Sequence, residues 1–128
     1  MKKAVVYSCH LEGRSEPDND MQIELCREYA QKNGIEIVGN YMDCVATKHE
    51  PLHAKQLLFK DCKRKEWDIV LFSSITILGR NLDEIMKFLL ELSKYVDCKI
   101  IDQENNEILK SIGSLLKEMY EKERHYFK

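Results

Sequence analysis

The residues best suited to chemistry gather near the start of the chain. Tyr7, Ser8, Cys9 and His10 close a short apolar run, and Arg14 and Ser15 follow it. A thiol or hydroxyl there is a candidate nucleophile if it can reach a substrate and if a base or cation activates it. Along a strand alternate side chains face opposite sides, so Tyr7, Cys9 and Leu11 share one face and Ser8 looks out on the other. His10 and Arg80 are the groups at hand to activate Cys9, while Ser15 in the following loop needs a sizeable shift to serve. A second chemistry is metal binding, since Cys9, His10, Cys44, His49 and His53 can gather at the carboxyl edge of a parallel sheet. Zinc sites usually carry close-paired ligands such as Cys-x₂₋₄-Cys, and this chain has none. The cysteines therefore read as small packing residues, and no metal or other cofactor is expected.

The elements that hold these groups follow from hydrophobic periodicity. Four short β-branched runs, residues 3–8, 35–41, 68–74 and 98–102, alternate with helical patterns. The first helix carries Met21, Leu25, Tyr29 and Ala30 at helical spacing, with Asp18, Asn19 and Asp20 as candidate N-caps and Gly34 as the stop. A second, over 53–65, turns Leu57, Leu58 and Cys62 inward. A third, over 82–95, presents Leu82, Ile85, Met86, Leu89, Leu90 and Tyr95 as an apolar stripe. This β-α-β-α-β-α-β order implies an α/β, doubly wound, mainly parallel four-stranded sheet with helices on both faces.

Length and charge bound the function. The 128 residues make one domain, 1–128, divided into an α/β core (1–104) and a C-terminal helix (105–127). No apolar run approaches the roughly 20 residues of a membrane span. Five scattered cysteines, an odd number, suggest free thiols and a cytoplasmic setting. The 20 basic residues are interspersed with 22 acidic ones, for a net charge of -2. Phosphate neutralisation supplies most of the affinity of a self-sufficient DNA binder. DNA is thus expected to be held only weakly, or through a separate DNA-binding domain. In the last segment Ile108, Leu109, Ile112, Leu115, Leu116 and Met119 form a broad apolar stripe opposite a face dense with Lys and Glu. At 1.5 Å per residue the helix would be about 33 Å long, more than a small sheet needs for cover. It is expected to be shared between two copies of the chain in a homodimer.

Several segments, in order, carry a resemblance. They are the opening Lys3–Leu11, then Gln22-Ile23-Glu24-Leu25-Cys26-Arg27-Glu28-Tyr29-Ala30, Tyr41-Met42-Asp43, Trp67-Asp68-Ile69-Val70-Leu71-Phe72, Ile75-Thr76-Ile77-Leu78-Gly79-Arg80-Asn81 and Glu123-Arg124. Together they resemble the N-terminal catalytic domain of the serine recombinases, the resolvase/invertase family. The resemblance implies a resolvase-like α/β fold, a long dimerisation helix, DNA recombination and a context in mobile elements. It also implies a serine that attacks the DNA backbone among arginines that hold the phosphate. The family opens with Tyr-x-Arg-x-Ser; here Tyr7 matches, Cys9 stands at the arginine and Leu11 at the serine. Thr76 and Ile77 replace an aspartate and an arginine, and Glu50-Pro51-Leu52 stands where the family has Arg-Pro-x-Leu. Tyr7, Gln22, Asp43 and Arg80 match.

The pattern of Tyr7, Cys9, Leu11, Gln22, Asp43, Thr76, Ile77 and Arg80 leads to the expectation of a degenerate site and of a chain that is not an enzyme. In that reading no catalytic residue remains, and the domain acts through dimerisation or partner binding. Gln22 reads as a helix-surface residue, and Arg80 equally as a surface partner for Asp83 or Glu84 and as a retained anion contact. Two alternatives stay open. One is an active recombinase domain with Cys9, Ser8 or Ser15 as a non-standard nucleophile. The other is a flavodoxin-like module for a small anion, against which the lack of a Gly-rich loop after the first strand counts.

Overall fold

The computed structural model describes residues 1–13, 17–47, 49–79 and 81–103. The strands are β1 (Lys2–Leu11), β2 (Ile35–Val45), β3 (Ile69–Phe72) and β4 (Asp97–Ile100). The helices are α1 (Asn19–Lys32), α2 (His53–Cys62) and α3 (Leu82–Ser93). All strand pairings are parallel, in the order β2-β1-β3-β4. The chain leaves β1 toward one edge and returns past it to β3. The strand order therefore reverses beside β1, and α/β sheets take their ligands outside the carboxyl ends of the strands at such a reversal.

Each side of the sheet has its own core. Ala4, Val6, Ile69 and Leu71 pack on Ile23, Cys26 and Ala30 of α1. Val5, Tyr7, Val70 and Phe72 pack on Leu58 and Cys62 of α2 and on Ile85, Leu89 and Leu92 of α3. Burying each large apolar side chain contributes about 1.5–3 kcal/mol, and β1 spends its whole centre on this. A bulge at Val38 shifts the β1–β2 register between Ala4 and Val5. Beyond it Tyr7 pairs with Tyr41 and Cys9 with Asp43, which puts these side chains on the α2/α3 side.

Helix ends are fixed by identifiable groups. The Asp18 carboxylate accepts the Met21 N–H at 2.9 Å, and Gly34 (φ 64) ends α1 in the left-handed region. Asn81 caps α3 through Oδ1, accepting from Asp83 N at 2.9 Å. In contrast, Leu52 before α2 offers no side-chain cap.

Three sequence expectations need correction. The inward face of α1 is Gln22, Ile23, Cys26 and Ala30, whereas Met21 and Leu25 are exposed. Leu57 and Leu82 are also exposed, each lying at the rim of its helix's apolar stripe. The first two strands run three and four residues past their expected ends, which carries Cys9, Leu11 and Asp43 into regular sheet. The expected helix over 105–127 lies outside the described residues.

Candidate active site

At the carboxyl end of the sheet, β1 and β2 end side by side and bring Tyr7, Cys9 and Asp43 onto one face. The Tyr7 hydroxyl donates to Asp43 Oδ2 at 2.7 Å, and both residues are buried. The same carboxylate accepts the backbone N–H of Ala54 at 2.9 Å and of Lys55 at 3.0 Å. Asp43 thus supplies the cap that the sequence before α2 lacks, from a strand end rather than from the helix's own first turn. Burial, reinforced by the neighbouring Cys9 and Asp43, raises the Tyr7 phenol far above its usual range, so Tyr7 acts here as a neutral donor.

Cys9 is half-buried between Tyr7 and Lys55. Burial raises its thiol above the ordinary value; the Tyr7 hydroxyl and the Lys55 ammonium act in the opposite sense, and Asp43 adds to the rise. Its backbone is clamped by Gln22, which is fully buried. Gln22 Oε1 accepts the Cys9 N–H at 3.0 Å, and Gln22 Nε2 donates to the carbonyls of Cys9 and Pro17, each at 2.8 Å. The surface reading of Gln22 is therefore wrong. An amide alone can complement both backbone groups of one strand residue, and helical spacing does not reveal that.

Lys55 is the member of the site that sequence reasoning missed. Its ammonium donates to the Leu78 carbonyl at 3.4 Å and lies 4.4 Å over the Phe88 ring. A lysine in the first turn of a helix opposes the macrodipole, and that is the one signal the sequence offered. Ser8 faces the α1 side, fully buried, with its Oγ unpartnered among the described residues. Leu11 ends β1 half-buried, paired with Val45.

The third-strand positions separate in the structure. A 3₁₀ turn, Ile75–Leu78, follows β3; Ile77 enters the core and Thr76 is exposed, its N–H bonded to Ser74 Oγ at 3.2 Å. Glu50 is exposed and accepts from Ala46 N. Arg80, Ser15 and the stripe Ile108, Leu109, Ile112, Leu115, Leu116 and Met119 lie outside the described residues. Among the described residues no group of three or more His, Cys, Asp or Glu is placed to hold a metal ion. No helix among them is long and apolar enough to cross a membrane.

The family described as Resolvase, N terminal domain, matches residues 13–125. Among solved structures, the chain is similar to the N-terminal catalytic domain of TP901-1 integrase (21% identity, TM-score 0.73, covering 99% of this chain and 100% of that one). It is also similar to a resolvase family site-specific recombinase from Streptococcus pneumoniae (22%, 0.71, 98% and 90%). A third is the C-terminal catalytic domain of ISC1926 TnpA, an IS607-like serine recombinase (20%, 0.66, 88% and 79%). No curated protein matches significantly.

These findings correct the expectation that the chain is not an enzyme: the family match points to a site-specific recombinase. The chain belongs to the Resolvase N-terminal domain family and is a serine-recombinase-like catalytic domain related to DNA recombination.

Proposed function

We propose that this domain performs phosphoryl transfer on DNA in site-specific recombination, with Cys9 as its nucleophile. The observation that carries this reading is the position of the thiol: half-buried at the carboxyl end of β1, on the face of Tyr7 and Asp43, toward Lys55. Of the nucleophiles weighed from the sequence, Ser8 is buried on the opposite face.

In the proposed step Cys9 gives its proton to water, and its sulfur attacks the phosphorus of a backbone phosphodiester. A P–S bond forms, one P–O ester bond breaks, and the departing sugar oxygen takes a proton from water. Attack by a sugar hydroxyl on the P–S linkage reverses the step and rejoins a strand. Lys55 is the described cation able to offset charge on the phosphate oxygens.

Incubation with nicked and supercoiled DNA, followed by denaturing electrophoresis, tests this. The wild type forms a denaturant-resistant protein–DNA adduct and Cys9→Ala forms none; equal adduct from Cys9→Ala refutes the assignment. Because the thiolate attacks and burial raises the Cys9 thiol above its ordinary value, the adduct rate climbs with pH from neutrality, by about tenfold per unit. A rate independent of pH over that range contradicts a thiol nucleophile.

The domain also acts as a homodimer in this proposal, through the stripe Ile108, Leu109, Ile112, Leu115, Leu116 and Met119. The apolar spacing of that segment supports this. Sedimentation of the wild type as a dimer and of Ile112→Glu plus Leu116→Glu as a monomer is the expected result. A variant that stays dimeric rejects the helix as interface.

A further inference from the structure

Lys55 is an anomaly on energetic grounds. It sits at the third residue of α2, whose first turn contains no acidic residue, so the helix dipole disfavours its charge. It is half-buried, and burial lowers its ammonium below the usual lysine range. Among the described residues, the titratable groups that face it are Cys9 from β1, Asp43 from β2 and Glu84 from α3. None of the described carboxylates forms an ion pair with it. Asp43 is already engaged by Tyr7 and by two backbone N–H groups of α2.

Its present partners are weak ones. Charge-assisted N–H···O bonds run about 2.7–2.9 Å, whereas Lys55 Nζ to the Leu78 carbonyl is 3.4 Å. The other contact is the face of Phe88, 4.4 Å away. Leu78 ends the 3₁₀ turn Ile75–Leu78, and Gly79 follows it at φ 140, a conformation that favours glycine. The lysine therefore bridges α2 to the segment that follows β3.

We propose that Lys55 is a two-position cation. In the free protein it rests on the Leu78 carbonyl and Phe88; a phosphodiester at the carboxyl end of the sheet draws the ammonium onto a non-bridging oxygen and releases the Ile75–Leu78 turn. Its four-carbon stem allows the swing, and a strongly anionic ligand supplies the partner that the resting seat lacks. Entry of the DNA backbone and loosening of the post-β3 segment are then one event. This deepens the proposed phosphoryl transfer and rests on the same site.

The test uses the full chain with its lysines ¹³C-methylated and followed by NMR, with Lys55→Arg identifying the Lys55 signal. Inorganic phosphate, and then a nicked duplex, is titrated in. The expected result is a Lys55 signal displaced by the Phe88 ring in the free protein, which moves saturably with either ligand. A Lys55 signal that neither ligand moves overturns the proposal. In the adduct assay Lys55→Met is expected to slow formation on the order of 10²-fold, and formation at the wild-type rate overturns it. The NMR arm does not depend on how that variant folds. If the unsubstituted chain forms no adduct and Lys55 still moves with phosphate, the nucleophile assignment falls and the two-position lysine stands.

Discussion

The two faces of β1 are treated differently by the rest of the molecule. On the α2/α3 face, Tyr7 and Asp43 are buried with their polar atoms partnered, and Lys55 is a half-buried cation with no ion pair among the described residues. On the α1 face, Gln22 is satisfied through the Cys9 backbone, while the Ser8 hydroxyl is buried with no partner among the described residues. A buried polar atom normally finds a hydrogen bond, so the partnered Tyr7–Asp43 pair beside one half-buried cation reads differently from the Ser8 hydroxyl, one of several buried polar atoms without a partner among the described residues. In the proposed phosphoryl transfer the first meets an anionic ligand. The second is a hydroxyl that the fold tolerates.

That contrast is broken most severely at Asp43. Asp43→Ala strands the buried Tyr7 hydroxyl and uncaps α2, and is expected to lower unfolding free energy by about 3 kcal/mol in a denaturant titration. A loss near zero would mean that the cap is unimportant. Gln22→Leu keeps the volume but orphans the Cys9 backbone, with an expected cost of about 2 kcal/mol by the same measurement. Ser8→Ala is the smallest change and differs in sign. Stability stays level or rises by about 1 kcal/mol, because a hydroxyl with no partner is removed. A clear loss at Ser8 would mean that this face is partnered after all.

The sequence displayed the architecture because its signals were local. Asp18, Gly34 and Asn81 mark helix ends, and the β-branched runs around Val5, Ile37 and Val70 mark strands. Tyr7, Cys9 and Asp43 were legible as positions in a pattern. Their mutual contact was not, since 36 residues separate Tyr7 from the carboxylate it bonds. The Gln22 clamp and the reach of Lys55 to Leu78 depend on how helices seat on the sheet, which periodicity does not encode. The expectation on activity compared residue types at matched positions, and the family match across residues 13–125 corrects it.

The central claim is that chemistry belongs to the Tyr7–Cys9–Asp43 face. Peptide mapping by mass spectrometry of the adduct formed between the wild-type chain and nicked DNA tests it most directly. The account predicts a nucleotide joined to Cys9 through sulfur. A nucleotide joined to Ser8 or Ser15 would contradict it.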